Sequence, residues 1–133
     1  MSRVETYHAK RPARGGPLRV LMISDVYFPR INGVSTSIET FRNDLGEQDV
    51  EVTLIAPGYP ESVNGSNGHD AVRRVASRRI PFDPEDRLMQ WAPLPGRLRE
   101  AGRSDVDLIH IQTPFAAHYA GLRVKPMFGV PVL

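Results

Sequence analysis

The longest nearly unbroken apolar run is Leu18 to Ser24 (LRVLMIS), entered after Pro17 and left at Asp25. A run that does not alternate suits a strand covered on both faces, as in a parallel sheet. Val50 to Ala56 (VEVTLIA), closed by Pro57 and Gly58, predicts a second such strand. Between them Val34, Ile38, Phe41 and Leu45 recur at helical spacing, with Glu39, Arg42 and Asp44 turned away. Thr36 and Glu39 have the spacing of a capping box, and Gly46 is the expected helix stop. Strand, loop, helix and strand thus fit within about forty residues, the size of one right-handed crossover unit.

Residues 58–70, rich in Gly, Asn, Ser and Pro, predict an exposed loop. Residues 71–80 predict a third strand, no regular element is expected over 78–95, and 94–101 predict a short helix. Asp107 to Ile111 (DLIHI) is the fourth strand, and Thr113-Pro114 is expected to open a further helix through Ala116, Tyr119, Ala120 and Leu122. Pro126 should end or bend that helix. Gly129 to Leu133 (GVPVL) begins a fifth strand that the chain end cuts off. Alternating strands and helices predict an α/β fold, a Rossmann-like doubly wound parallel sheet of order 3-2-1-4-5.

Composition narrows this picture. A chain of 133 residues makes one domain, here 18–133, so a mechanism that needs a cleft between domains needs more chain. Cysteine is absent, which removes disulfides, thiolate metal sites and thiol nucleophiles and fits a reducing cytoplasm. Residues 1–17 carry Arg3, Lys10, Arg11 and Arg14 against Glu5 and are expected to be a disordered basic tail. No apolar run follows Met1 and none reaches membrane-spanning length. Eight arginines against four acids between Ala71 and Arg103 read first as solvated surface. With Leu88, Met89 and Trp91 nearby they also suit an anionic membrane face. Nucleic acid is not expected, because no recognition module accompanies the charge.

In open parallel sheets a ligand sits beyond the carboxyl ends of the strands, where the strand order reverses. That crevice lies between the first and fourth strands, bordered by loops 25–33 and 112–115. Free N–H groups and the helix dipole at Gly33 to Thr36 would attract a phosphate, and Gly33, lacking a Cβ, would let it approach. The alternative is that Asn32-Gly33 forms a turn requiring positive φ. Asp25 reads as a loop or cap residue, and His110 as a packed, hydrogen-bonded strand residue pointing opposite to Ile109 and Ile111. Gln112, Thr113 and Phe115 lie on the loop, where contact with a ligand is more natural. The chain has no G-x-G-x-x-G after the first strand and no G-x-x-x-x-G-K-[ST], which weighs against dinucleotide dehydrogenases and excludes P-loop ATPases.

In combination these residues resemble a known family. The runs LRVLMISDVYFPRINGVSTSIETFRNDL, VEVTLIAPGYP and DLIHIQTPFAAHYAGLRV are similar to the N-terminal domain of family 4 glycosyltransferases, especially bacterial members that use GDP-mannose or UDP-glucose and glycosylate lipids. F-P-x-x-N-G-V after the first strand and H-I-x-T-P-F after the fourth carry the likeness, which extends from Leu18 to Leu133. It implies the N-terminal half of a two-domain GT-B fold, with the acceptor on this half and the nucleotide sugar on the other. Transfer of a hexose to a lipid or glycan, with retention at the anomeric carbon, would occur in the cleft. Asn32 and Gly33 would approach the donor diphosphate. Asp25, His110, Gln112, Thr113 and Phe115 would lie on the acceptor side, and no metal or redox cofactor is implied.

The departures set further expectations. Gln112 stands where members commonly carry a second histidine. A histidine motif after the fifth strand and the paired glutamates of the second domain lie past Leu133, so no catalytic residue is assigned within the chain. It is expected not to transfer sugar alone, and to belong to a cytoplasmic protein or one peripheral to the inner face of the membrane. A stand-alone, non-catalytic flavodoxin-like binding module is the alternative.

Overall fold

The computed structural model describes residues 16–58, 72–75, 77–80, 83–100 and 106–133. The expected basic tail and nearly all of the expected 58–70 loop lie outside these residues. The described chain runs β1 (Leu18–Ile23), α1 (Gly33–Glu47), β2 (Val50–Pro57), β3 (Val72–Val75), β4 (Ser77–Ile80), β5 (Asp83–Met89), α2 (Leu94–Glu100), β6 (Leu108–Ile111) and α3 (Ala116–Phe128). The main sheet is parallel in the order β3-β2-β1-β6. Beyond β6, Val132 pairs in parallel with Ile109, and the Ile111 N–H reaches the Leu133 carbonyl at 2.9 Å. The expected strand order is therefore present, with 129–133 starting the position beside β6.

The unbroken apolar runs follow from a sheet covered on both sides. Leu21 and Ile23 of β1 pack with Ile55, Ile109 and the inner residues of α2 and α3. Val20 and Met22 point the other way, to Val52, Leu54, Tyr27 and Ile38 under α1. Successive side chains of one strand thus serve two cores, so only Arg19, at the amino end of β1, is polar, and Val20 to Ile23 are all apolar.

Helix α1 is rotated from its expected setting. Ser35 and Ile38 are buried and Leu45 is half-buried, while Val34 and Phe41 are exposed. Arg42, expected outward, is turned in, its side chain only 10% exposed. Helix entry sets the rotation. Asn32 is the N-cap and accepts from the Ser35 N–H at 2.9 Å, while Ser35 Oγ donates to the Arg30 carbonyl at 2.7 Å. The cap is therefore Asn32 and not Thr36, whose hydroxyl instead donates to the Asn32 carbonyl. At the other end the helix passes Gly46 and stops after Glu47, where Asp49 takes the left-handed conformation at φ 60°. Gly46 has no positive φ and does not act as the stop.

Three further expectations change. The third-strand segment is divided: β3 extends the main sheet, whereas β4 turns into an antiparallel hairpin with β5. The β5 sequence DPEDRLM has no strand-like alternation of its own. Pairing with β4 and burial of Met89 in the core with α3 hold it as a strand. Helix α3 starts at Ala116, so Pro114 precedes the helix instead of opening its first turn. Pro126 stays inside α3, which ends at Gly129, left-handed at φ 61° and donating to the Lys125 carbonyl at 2.9 Å. So close to the helix end proline forfeits one bond, and Met127 and Phe128 pack against the core beyond it.

Gly121 sets how closely α3 lies on the sheet. A Cβ there would stand 2.6 Å and 2.7 Å from Ile111 Cδ1 and Cγ1. Gly121→Val is expected to lower stability by about 2 kcal/mol through overpacking. Gly121→Ala should cost less, because its better helix propensity offsets part of the strain. Denaturant unfolding of both variants checks the ranking.

Candidate functional site

The carboxyl ends of β1 and β6 are adjacent, and the segments leaving them meet. The Gln112 N–H donates to the Ile23 carbonyl at 2.9 Å, and the Asp25 N–H donates to Thr113 Oγ1 at 2.8 Å. The Asp25 carboxylate then reaches across to α3. It accepts from the Thr113 hydroxyl at 2.5 Å, the Phe115 N–H at 3.2 Å and the Ala117 N–H at 3.0 Å. Asp25 is thus a cap, as its residue type suggests, but for a helix some ninety positions away. The N-cap residue of α3, Phe115, has no side chain able to accept, so the helix takes its acceptor from the opposite lip of the crevice.

The two helix N-termini at this edge therefore differ. At α3 an anionic side chain from within the chain already holds the Phe115 and Ala117 N–H groups. At α1 the only side-chain acceptor among the described residues is Asn32, which is neutral and takes the Ser35 N–H. The N–H groups of Gly33 and Val34 have no protein acceptor among the described residues. Gly33 has no positive φ, and a Cβ built on it meets nothing within 4 Å. The turn reading of Asn32-Gly33 is thereby corrected: the pair is a cap and the first helical residue, and the backbone does not require glycine there.

His110 is half-buried, and its Nδ1 lies 3.0 Å from Gln112 Nε2. An amide nitrogen only donates, so it pairs with the neutral imidazole in which Nδ1 accepts. Burial holds the His110 pKa below its ordinary value. Thr113 is engaged with Asp25, and Phe115 is 68% exposed. Asp25, Gln112, Thr113 and Phe115 are thus brought together, with His110 joined through Gln112.

One group escaped the sequence reading. The Tyr27 hydroxyl, on loop 25–32, donates to Glu39 of α1 and accepts from Arg42 Nη1 at 2.6 Å. Arg42 and Arg74 carry their guanidinium groups 5.7 Å and 5.4 Å from the Tyr27 ring centroid. Arg74 also donates to the carbonyls of Pro57 and Phe28. One arginine of the "surface" set thus pins the loop that leads to Gly33. The i,i+3 pair Glu39 and Arg42 was visible in the sequence, but nothing there showed that it closes on a tyrosine.

Burial, and then the Glu39 carboxylate, push the Tyr27 pKa up to about 12. The folded chain therefore favours the neutral phenol. This contribution is complete below the ordinary value of about 10 and is lost as pH rises through about 12. Absorbance titration at alkaline pH should show one tyrosine ionising after the others, with stability falling over the same window. A Tyr27→Phe variant should lack the late step.

A shallow cavity lined by Arg19, Glu51, Thr53, Leu98 and Val106 lies at the amino ends of β1 and β2, the end of the sheet away from this site. No helix among the described residues is long and apolar enough to cross a membrane.

The sequence pattern of Glycosyltransferase Family 4 matches residues 31–133. A GDP-mannose-dependent alpha-mannosyltransferase of Mycobacterium tuberculosis is 31% identical over 119 residues, covering 87% of this chain and 31% of its own length. The protein of the same description from Mycolicibacterium smegmatis is 31% identical over 86% of this chain and 31% of its own length. An alpha-monoglucosyldiacylglycerol synthase of Streptococcus pneumoniae is 26% identical over 87% of this chain and 26% of its own length. The chain thus spans under a third of the length of the curated relatives it matches. No solved structure matches.

Proposed function

The chain belongs to Glycosyltransferase Family 4, and on that footing we propose that it supplies the acceptor half of an enzyme moving a hexose from a nucleotide sugar to a lipid or glycan. The observation that carries this reading is the start of α1, where Gly33 and Val34 present N–H groups with no protein acceptor among the described residues, and no side chain stands at Gly33. The donor diphosphate, of GDP-mannose or UDP-glucose, takes those donors and the positive end of the helix dipole. Asn32 orders them by capping the helix.

On the acceptor side, Asp25 and Thr113 set the spacing of the two loops, His110 and Gln112 offer polar groups, and exposed Phe115 offers an apolar surface. Transfer occurs with retention in a cleft closed by a second domain that carries the catalytic groups, without a resident metal or redox cofactor. The protein works in the cytoplasm, at or near the inner face of the membrane.

The test compares the purified 133-residue chain with the complete enzyme, offering each GDP-mannose and UDP-glucose with a lipid acceptor. Transfer by the complete enzyme, with the product's anomeric configuration matching the donor's by NMR, is expected. The chain alone should be silent, and turnover by it would overturn this division of labour.

A further inference from the structure

Residues 25–32, which join β1 to α1, form no helix or strand, yet they deliver the Asn32 cap and Gly33 to a fixed place. A connection of this kind takes its shape from the elements that hold it. One hold comes from Arg74 of β3, which lies on the far side of β2 from β1. The register partner of Arg74 is Ala56, which packs in the same core as Tyr27, so the arginine leaves the sheet on the α1 face. There its Nη1 donates to the Pro57 carbonyl at 3.1 Å and its Nη2 to the Phe28 carbonyl. The first of these acceptors belongs to the sheet: beside it the Gly58 N–H donates to the Val75 carbonyl at 2.7 Å. The second belongs to the loop, so one guanidinium ties the loop to the sheet.

The neighbouring residue is held as firmly. Tyr27 is 5% exposed, and its ring lies 5.4 Å from the Arg74 guanidinium. As a neutral phenol it donates to Glu39 and accepts from Arg42, which fixes it to α1. Little slack separates these ties from the helix start. The Arg30 N–H donates to the Tyr27 carbonyl at 3.1 Å, and the Arg30 carbonyl accepts from Ser35 Oγ at 2.7 Å. A shift at Phe28 is therefore passed through Arg30 to the first turn of α1, where Gly33 and Val34 present their N–H groups.

We propose that Arg74 is a positioning residue for the nucleotide-sugar donor: by holding the Phe28 carbonyl it sets where the Gly33 and Val34 N–H groups stand, and it acts through the loop. This rests on the reading of the α1 start as the diphosphate site. The chemistry calls for arginine. Two carbonyls on two different elements are reached by two nitrogens of one rigid planar group, whereas lysine brings a single nitrogen on a flexible stem. Positive charge and fork geometry thus make different demands, and a lysine in this place satisfies only the first.

The test is steady-state kinetics of the complete enzyme, offered GDP-mannose and UDP-glucose, with the donor KM and the acceptor KM measured separately. Arg74→Ala should raise the donor KM about tenfold and leave the acceptor KM unmoved. Arg74→Lys should stay within about threefold of the alanine variant, because the charge returns without the fork. Tyr27→Phe, which loses only the hydroxyl, should raise the same donor KM about threefold. Amide exchange at 27–34 should quicken in Arg74→Ala. Where that variant does not fold, Arg74→Gln, which keeps one amide donor, takes its place with an expected rise of about threefold. A folded Arg74 variant with lowered melting temperature and unchanged donor KM makes the arginine merely structural and overturns the proposal. So does full recovery of donor KM by Arg74→Lys, which makes charge the agent. Gly33→Val, assayed alongside, separates the two readings. If it spares donor kinetics, the diphosphate site itself falls and this proposal with it. If it impairs them while Arg74→Ala does not, only the role of Arg74 falls.

Discussion

Replacing Asp25 with alanine is expected to lower the stability of the chain by about 2 kcal/mol, at the upper end of what a helix cap contributes. The carboxylate accepts from the Thr113 hydroxyl and from the Phe115 and Ala117 N–H groups. Its removal leaves three donors at the start of α3 without their acceptor. Phe115 is exposed, so water can replace part of what is lost there, but the Ala117 residue is fully buried. Asp25→Asn keeps the shape and one acceptor oxygen while removing the charge, and should lose about half as much. The loss should be local as well as global. Amide exchange should quicken at Ala117 and in the first turn of α3, while the far end near Lys125 changes little. An Asp25→Ala protein that melts like the parent would mean that the cap is dispensable.

The largest effect on activity is expected at Gly33. A Cβ added there meets no atom within 4 Å beyond its chain neighbours and its own helix backbone, and the position has no left-handed backbone. The fold should therefore accept Gly33→Val with its melting temperature nearly unchanged. The same side chain would occupy the space proposed for the donor diphosphate, and a displacement of about 1 Å at the reacting groups is enough to cost roughly a hundredfold in rate. The complete enzyme carrying Gly33→Val should thus lose about two orders of magnitude in kcat/KM while remaining folded. Unchanged kinetics would remove the phosphate role from this loop. A collapse in stability would contradict the open space around Gly33.

The strength of this pair lies in their opposite signatures. Asp25 is bound up entirely in contacts within the chain, so its loss is read in stability. Gly33 has no side-chain contacts to lose, so its substitution is read in function.

Much of this was legible from local pattern. A strand buried on both faces must be apolar at successive positions, so LRVLMI and VEVTLIAP declared themselves as interior strands of a parallel sheet. Such strands need long crossovers, which left a doubly wound α/β arrangement and, with it, a crevice beyond the carboxyl ends of β1 and β6. The motif residues around Asn32-Gly33 and His110 to Phe115 also identified the family. These features are local in sequence, or repeat at a fixed period, and a single chain displays them directly.

What escaped depended on partners distant in sequence. Which stripe of α1 turns inward was decided by the Asn32 cap and by Tyr27 closing on Arg42, because two overlapping stripes share Ile38 and Leu45. The β5 segment became a strand through its pairing with β4, not through its own alternation. Arg74 pins a loop from a neighbouring strand, although its sequence neighbours suggested only solvated surface. Asp25 found its acceptor role on a helix that the sequence shows to exist but does not show to lack a cap of its own. Periodicity reports which elements form and which residues avoid water; only the packed structure decides which donor meets which acceptor, because those pairs are chosen by proximity across the fold.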